Sequence, residues 1–253
     1  MRQEERLSLI LEELSTRGSV GVAELADKLR VSTASVRRDL QLLERQRLLS
    51  RTHGGAVPGS MTYELPLRYR GGRHRGEKRR IALAAAARVD DHVFTVGLTG
   101  GTTTTEVARQ LVDRQGLTIV TNALNIAAEL AVRPNLKLVV TGGTARSESY
   151  ELVGPQAEVV LATMNLDLAF VGVDGLTASG GLTTYHDVEA HTNRVLIERA
   201  RRVIVVADGS KVGRLAFARI CDIEDVHEVI TDASGDPGEL ARIDDAGVVV
   251  TLV

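Results

Sequence analysis

A single cysteine, Cys221, stands among 253 residues, which excludes an intramolecular disulfide and any cysteine metal cage. Alone, it reads as a small buried hydrophobe. No apolar run reaches the roughly 18 residues a membrane-crossing helix requires, so no membrane partner is expected. The opening residues, MRQEERLSLI, are charged and helical in pattern, unlike a secretion signal. The six histidines, His53, His74, His92, His186, His191 and His227, show no metal-ligand spacing; His186 and His191 suit a helix surface or pocket wall. Neither a G-x-G-x-x-G turn nor a Walker loop occurs, which disfavours dinucleotides and nucleoside triphosphates. No Ser/His/Asp arrangement, internal repeat or low-complexity tract is evident. These absences predict a cytoplasmic globular protein without metal or cofactor.

What is present is ordinary in bulk, with 43% hydrophobic and 25% charged residues, enough chain for one or two domains. The net charge of −2 conceals an asymmetry. Residues 1–80 hold 17 Lys and Arg against 10 Asp and Glu, whereas residues 81–253 hold 14 against 23. A basic segment on an acidic body suits a polyanion-binding head joined to a regulatory or catalytic domain. Clustered arginines at 68–80 taken alone suit a solvated linker equally well.

Along the chain, Leu7, Ile10, Leu11 and Leu14 mark one helix face, and Gly18 ends that helix. A second helix is expected at 22–30, with Leu25 and Leu29 inward. After a break at Val31-Ser32, Ser32 is a good N-cap for a third helix at 33–47. Residues 48–52 and 56–57 flank His53-Gly54-Gly55 as a hairpin. Residues 1–57 therefore form one domain, 58–76 a linker rich in Pro, Gly and Arg, and 77–253 a second domain. In the latter, strands are expected at 93–98, 117–120, 136–141, 168–173, 203–207, 229–231 and 248–252. Helices are expected at 103–111, 123–132, 156–164, 187–199 and 237–244. Continuous apolar strands between amphipathic helices predict a mostly parallel sheet covered on both faces.

In the third helix Val36, Leu40 and Leu43 share one face, and Thr33, Arg37, Arg38, Gln41 and Arg45 the other. Such a helix suits the major groove of double-stranded DNA, where arginine pairs with guanine, glutamine with adenine, and hydroxyls hold phosphates. Thr33, Ser35, Arg37 and Arg38 are the expected principal contacts, Ser32 and Gln41 lie beside them, and Asp39 orients an arginine. Arg51 and His53 at the hairpin form a wing over the backbone or minor groove. A solvated basic face in an ordinary bundle is the bland alternative.

The stretch VAELADKLRVSTASVRRDLQLLERQRLLSRTHGGAV resembles the winged helix-turn-helix of DeoR-family bacterial repressors. Ser32, Ser35, Val36, Arg37, Arg38, Asp39, Leu40 and Leu43 carry the resemblance, followed by Arg51, His53, Gly54, Gly55 and Ala56. Glu64 before Pro66, and Glu77-Lys78 before Ile81-Ala82, extend it into the linker.

In the second domain, Thr99-Gly100-Gly101-Thr102-Thr103-Thr104 follows a strand and opens a helix. Glycines admit an anion to the backbone, hydroxyls donate to it, and the helix N-terminus adds positive potential, so a phosphate fits. Thr121-Asn122, Thr141-Gly142-Gly143, Asp174-Gly175 and Asp208-Gly209-Ser210-Lys211 punctuate other strand ends, where ligands of open α/β sheets bind. Asp174 and Glu189 can accept from sugar hydroxyls, and Lys211 can meet an oxyanion. The segments GLTGGTTTTEVA, IVTNALNIA, VVTGGTAR, LVGPQAE, AFVGVDGL, GLTTYHDVEA and VVADGSKVGR resemble the DeoR-family sensor domain, related in fold to ribose-5-phosphate isomerase and the coenzyme A transferases. That resemblance implies a phosphorylated sugar or a related metabolite as effector, with its phosphate on residues 100–104 and Lys211, and its carbinols near Asp174 and Glu189. It implies repression; a dimer or tetramer that holds two or more heads on a repeated operator is the expected arrangement. Gly97-Leu98-Thr99, Tyr150-Glu151 and Tyr185-His186-Asp187 depart from the family pattern and reshape the pocket.

Two other classes compete. A sugar-phosphate isomerase or coenzyme A transferase-like enzyme fused to a DNA-binding head would use Asp174, Glu189 and Lys211 for proton transfer. A sequence-blind DNA binder is disfavoured by the acidic second domain.

Overall fold

The computed structural model describes residue 1, residues 3–59 and residues 64–253. They form two compact units, Met1–Arg73 and His74–Val253. No helix among the described residues is long and apolar enough to cross a membrane.

In the first unit, α1 (Gln3–Arg17) buries Leu7, Ile10, Leu11 and Leu14, the four residues of its apolar stripe. Gly18 stops it at φ +71, with its amide on the Leu14 carbonyl. A short strand that the sequence pattern does not reveal, β1 (Val20–Gly21), leads into α2 (Val22–Leu29). α2 closes on Arg30, a left-handed residue at φ 53. α3 (Thr33–Arg45) then packs on α1 and α2 through Val36, Leu40 and Leu43, all buried. β2 (Leu49–Arg51) and β3 (Gly55–Pro58) form the expected hairpin, and β1 pairs with the other side of β3. The third strand forces a glycine. A Cβ on Gly55 would stand 1.8 Å from the Val20 carbonyl oxygen, whereas nothing lies within 4 Å of one on Gly54.

The expected linker, 58–76, divides. Residues 60–63 lie outside the described ones. α4 (Leu67–Arg70) follows, and Leu67 and Tyr69 are buried, Tyr69 within the core of the first unit. The Tyr69 hydroxyl bonds Gln46 Oε1 behind α3, and Arg70 pairs with Glu64. Residues 64–73 are therefore a packed strap of the head, which corrects the linker expectation. Two apolar residues on a single turn are too few to show a periodicity.

The second unit opens with α5 (Arg75–Ala86), then alternates: β4 (Thr95–Leu98), α6 (Thr102–Gln110), β5 (Thr118–Thr121), α7 (Leu124–Leu130), β6 (Lys137–Val140). A small hairpin, β7 (Thr144–Ala145) and β8 (Leu152–Val153), precedes α8 (Pro155–Ala162) and β9 (Leu168–Val171). After β10 (Gly175–Thr177) and β11 (Gly181–Thr184) come α9 (Asp187–Glu198), β12 (Val203–Val206) and β13 (Ala218–Cys221). β14 (Glu228–Thr231), α10 (Pro237–Asp245) and β15 (Val249–Leu252) complete it.

The seven expected strands make one parallel sheet in the order β15-β14-β12-β9-β4-β5-β6. Alternate residues feed two cores. Leu168, Phe170, Ile204 and Val206 face the helices α5, α6 and α7, while Ala169, Val171, Val203 and Val205 face α8, α9 and α10. β10, β11 and β13 form an antiparallel sheet over the second core, which encloses Cys221. Burial pushes the Cys221 thiol up to about 12, as befits a packing residue. These short, glycine-punctuated strands carry no clear alternation and are not visible in the sequence.

The Gly55 contact yields a stability prediction. Gly55→Ala destabilises the first unit by about 2–3 kcal/mol or more, since backbone rather than a mobile side chain must yield. Gly54→Ala changes stability by less than about 0.5 kcal/mol. Thermal melts of the full chain followed by circular dichroism distinguish them; equal melts would show that β1 does not constrain the hairpin.

Candidate functional site

Two places gather chemistry, one in each unit. On α3, the Ser32 hydroxyl accepts from the Ser35 amide at 3.1 Å and meets the Ser35 hydroxyl at 3.0 Å, so both cap the helix. Thr33, Arg37, Arg38 and Gln41 are exposed, opposite the buried stripe. Arg37 and Arg38 form no ion pair among the described residues, and Arg38 Nε lies 3.4 Å from the Ala34 carbonyl. Asp39 turns inward, is 1% exposed, and binds Arg6 of α1 through both carboxylate oxygens, Nη2 to Oδ1 at 3.1 Å. The arginine it orients therefore belongs to the scaffold. On the hairpin, the Arg51 amide donates to Glu44 Oε1 at 3.1 Å and its guanidinium lies 3.8 Å from Glu44, an exposed and weak pair. His53 is exposed at the hairpin tip.

In the second unit, chain order reverses beside β4: β5 and β6 lie to one side, β9 and β12 to the other. The carboxyl ends of β4 and β9 thus bound the crevice in which such sheets receive ligands. Gly101 sits there at φ +125 as the N-cap of α6, a conformation that favours glycine. The first-turn amides of α6 lack intrahelical partners and aim outward. Of the expected threonines, Thr99 is fully buried; its hydroxyl accepts from the Gly172 amide at 3.0 Å and stitches the two switch-point loops together. Thr104 donates to the Gly101 carbonyl at 3.0 Å, as Thr105 does at 2.6 Å. These hydroxyls shape the turn, and those of Thr102 and Thr103 have no protein partner among the described residues. Gly142 and Gly143, at φ +72 and +118, turn the chain from β6 into the β7–β8 hairpin.

Asp174, Glu189, Lys211 and Asn122 converge through residues that sequence reasoning missed. Glu189 Oε1 accepts from Thr184 at 2.7 Å, and its Oε2 meets Arg146 at 2.9 Å. Asp174 Oδ2 lies 3.2 Å from the same Thr184 hydroxyl, and its Oδ1 is 3.4 Å from Lys211 Nζ. Asn122 Nδ2 donates toward Glu151 at 3.4 Å and to Asn193 Oδ1 at 3.1 Å, and Asn193 donates to Glu151 at 3.2 Å. Burial, with Glu189 and Asp174 facing it, holds the Glu151 carboxyl well above the usual carboxylate range despite donation from Asn193 and the Gly100 amide. Asn193 was findable, because it lies four residues after Glu189 on one helix face. Glu151 was marked in the sequence only as a departure from the family pattern, and Arg146 and Thr184 were given no role, because the β7–β8 hairpin and β11 that deliver them lacked a pattern. A buried pair, Lys78 of α5 and Asp208 at 3.8 Å, anchors the loop that carries Lys211.

Residues 6–61 match the description of the DeoR-like helix-turn-helix domain, and residues 73–233 that of the DeoR C terminal sensor domain. The chain is similar to the HTH-type transcriptional regulator GlpR of Haloferax volcanii, 37% identical over 97% of this chain and 96% of that protein. It is 34% identical to the glycerol-3-phosphate regulon repressor of Escherichia coli K12, over 92% of each chain. Ribose 5-phosphate isomerase A from Neisseria gonorrhoeae overlaps 53% of this chain and 52% of its own, at 15% identity and TM-score 0.38.

The raised Glu151 carboxyl has a measurable linkage. The folded state holds a proton there that the unfolded state releases above about pH 4.5, so this contribution to stability is complete below that pH and declines as pH rises. Glu151→Gln removes the dependence. Wild type minus variant stability should fall with pH by at most about 1.4 kcal/mol per unit. Urea titrations from pH 4.5 to 8.5 measure it, and a flat difference would mean that Glu151 ionises freely.

Proposed function

Because the chain belongs to the DeoR family of transcriptional regulators, we propose that it represses a carbohydrate catabolic operon and releases its operator when a phosphorylated sugar enters the second unit. It is a regulator and not an enzyme, as its curated relatives are, along more than nine-tenths of its length. The isomerase- or transferase-like alternative is thereby set aside.

The observation that carries the DNA half is the exposed face of α3, where Arg37 and Arg38 form no ion pair among the described residues while neighbouring Asp39 is engaged with Arg6. Thr33, Ser35, Arg37, Arg38 and Gln41 read or hold double-stranded operator DNA, Ser32 fixes the helix start, and Arg51 and His53 rest on the backbone as a wing. The ligand half rests on the α6 turn. The phosphate sits on Gly100, Gly101, Thr102 and Thr103, with Lys211 assisting, and the carbinols meet Asp174, Glu189 and Asn122. Thr99, Thr104, Gly142 and Gly143 support the walls. The relative named a glycerol-3-phosphate regulon repressor makes a small phosphorylated polyol the first compound to try.

The chain acts in the cytoplasm as a homo-oligomer, a dimer or tetramer, so that two or more heads span a repeated operator. The ligand binds one sensor conformation better and shifts the population away from the DNA-competent one. The Lys78–Asp208 pair supports a route, since it joins the Lys211 loop to α5, the helix that directly follows the head.

Fluorescence anisotropy on an operator selected by the protein from random sequences tests both halves. Arg37→Ala should weaken operator binding by about 1–3 kcal/mol, roughly 5- to 150-fold, and random DNA far less. Equal losses would make Arg37 a phosphate contact. In the same assay a panel of phosphorylated sugars should include one that releases the operator; turnover of a panel member without release would restore the enzyme reading.

A further inference from the structure

Glu151 belongs to none of the expected contacts, yet it lies among Gly100, Asn122 and Asn193 at the strand ends. It is 2% exposed. Its side chain lies flat on Gly100, where a Cβ would come within 2.2 Å of Oε1 and 2.7 Å of Cδ. A side chain at position 100 would therefore have to displace the Glu151 carboxyl. The Gly100 amide, first of the anion turn, lies beside this carboxyl, which covers it. No cation pairs with it among the described residues; Arg146 is engaged with Glu189, and Lys211 lies against Asp174.

A cluster of buried acids alone would signify only packing. An independent feature points to a ligand here. Asn122 is fully buried, its amide nitrogen lies against Glu151 and Asn193, and its Oδ1 has no hydrogen-bond partner among the described residues. A buried amide oxygen without a donor is destabilising, and a ligand hydroxyl would satisfy it.

We propose that Glu151 is a ligand-contacting, selectivity-determining residue of the sensor pocket, which yields the Gly100 amide to a phosphate oxygen and donates its own hydrogen bond to the ligand. This rests on the ligand reading given above. A carboxylate on that amide would repel a phosphate dianion a few ångströms away, whereas a carboxylic acid bonds it. The surroundings favour the acid. Glu189 of α9 and Asp174 after β9 face Glu151 with negative charge, the α9 and β5–α7 elements add only neutral Asn193 and Asn122, and burial acts in the same sense. Where Glu151 has lost its proton, binding takes one up from solvent. The protein thereby prefers ligands that bring an acceptor to this corner, and its affinity for a phosphate ester declines as pH rises.

Calorimetric titration of the full chain with glycerol 3-phosphate, ribose 5-phosphate and inorganic phosphate, from pH 5.5 to 8.5, tests this on wild type and Glu151→Gln. Glutamine keeps a donor but does not titrate, and each ligand's own ionisation is common to both proteins. The ratio of wild-type to variant Kd should rise with pH, by up to about tenfold per unit above the Glu151 transition. For wild type alone, titrations in two buffers of different ionisation enthalpy should show proton uptake beyond the ligand's own, which keeps the test available if the variant unfolds. Binding with a constant ratio and no extra uptake overturns the role of Glu151 and leaves the phosphorylated-ligand reading standing. Absence of binding by every probe, to both proteins at all pH values, overturns both.

Discussion

A parallel sheet buried on both faces leaves only the ends of its strands for chemistry, and the second unit follows from that constraint. Its central strands β9 and β12 are wholly apolar and buried because α5, α6 and α7 cover one side and α8, α9 and α10 the other. Polar residues collect where the strands stop. At the switch beside β4, the amino end of α6 supplies unpaired amides, and the loops after β5, β9 and β12 bring Asn122, Asp174 and Lys211 to the same side.

The antiparallel additions bring further polar side chains to that edge. The β7–β8 hairpin carries Glu151 over Gly100 and Arg146 to Glu189, while β11 places Thr184 between Glu189 and Asp174. The result is a charge balance instead of a simple cationic phosphate site. Two cations answer Glu189 and Asp174, while burial and those two acids raise the Glu151 carboxyl above the usual range.

In the head, acids are spent so that selected arginines remain available. Asp39 is engaged with Arg6, Glu44 with Arg51, and Glu64 with Arg70, while Arg37 and Arg38 face solvent beyond the Val36–Leu40–Leu43 stripe. The α4 strap closes the back of this layer through Tyr69 and Gln46.

The helix periods of the head and the seven apolar strands were legible in the sequence, because each repeats a pattern long enough to register as 3.6 or as a continuous run. The Gly100–Thr104 turn was legible too, since glycine and threonine at a strand-to-helix junction have few uses. The purposes of individual threonines were not: Thr99 and Thr104 turn their hydroxyls to the backbone, a choice made by neighbours 73 and 3 residues away. Nor could residues 64–73 be known as part of the head, because Tyr69 finds its partner across 23 residues. Sequence by itself determined the elements and the kind of chemistry at their junctions, which depend on local pattern. Only tertiary structure decided that Glu151, Asn193 and Arg146 meet at one corner, because contacts between distant segments depend on sheet order and hairpin placement, neither of which leaves a local signature.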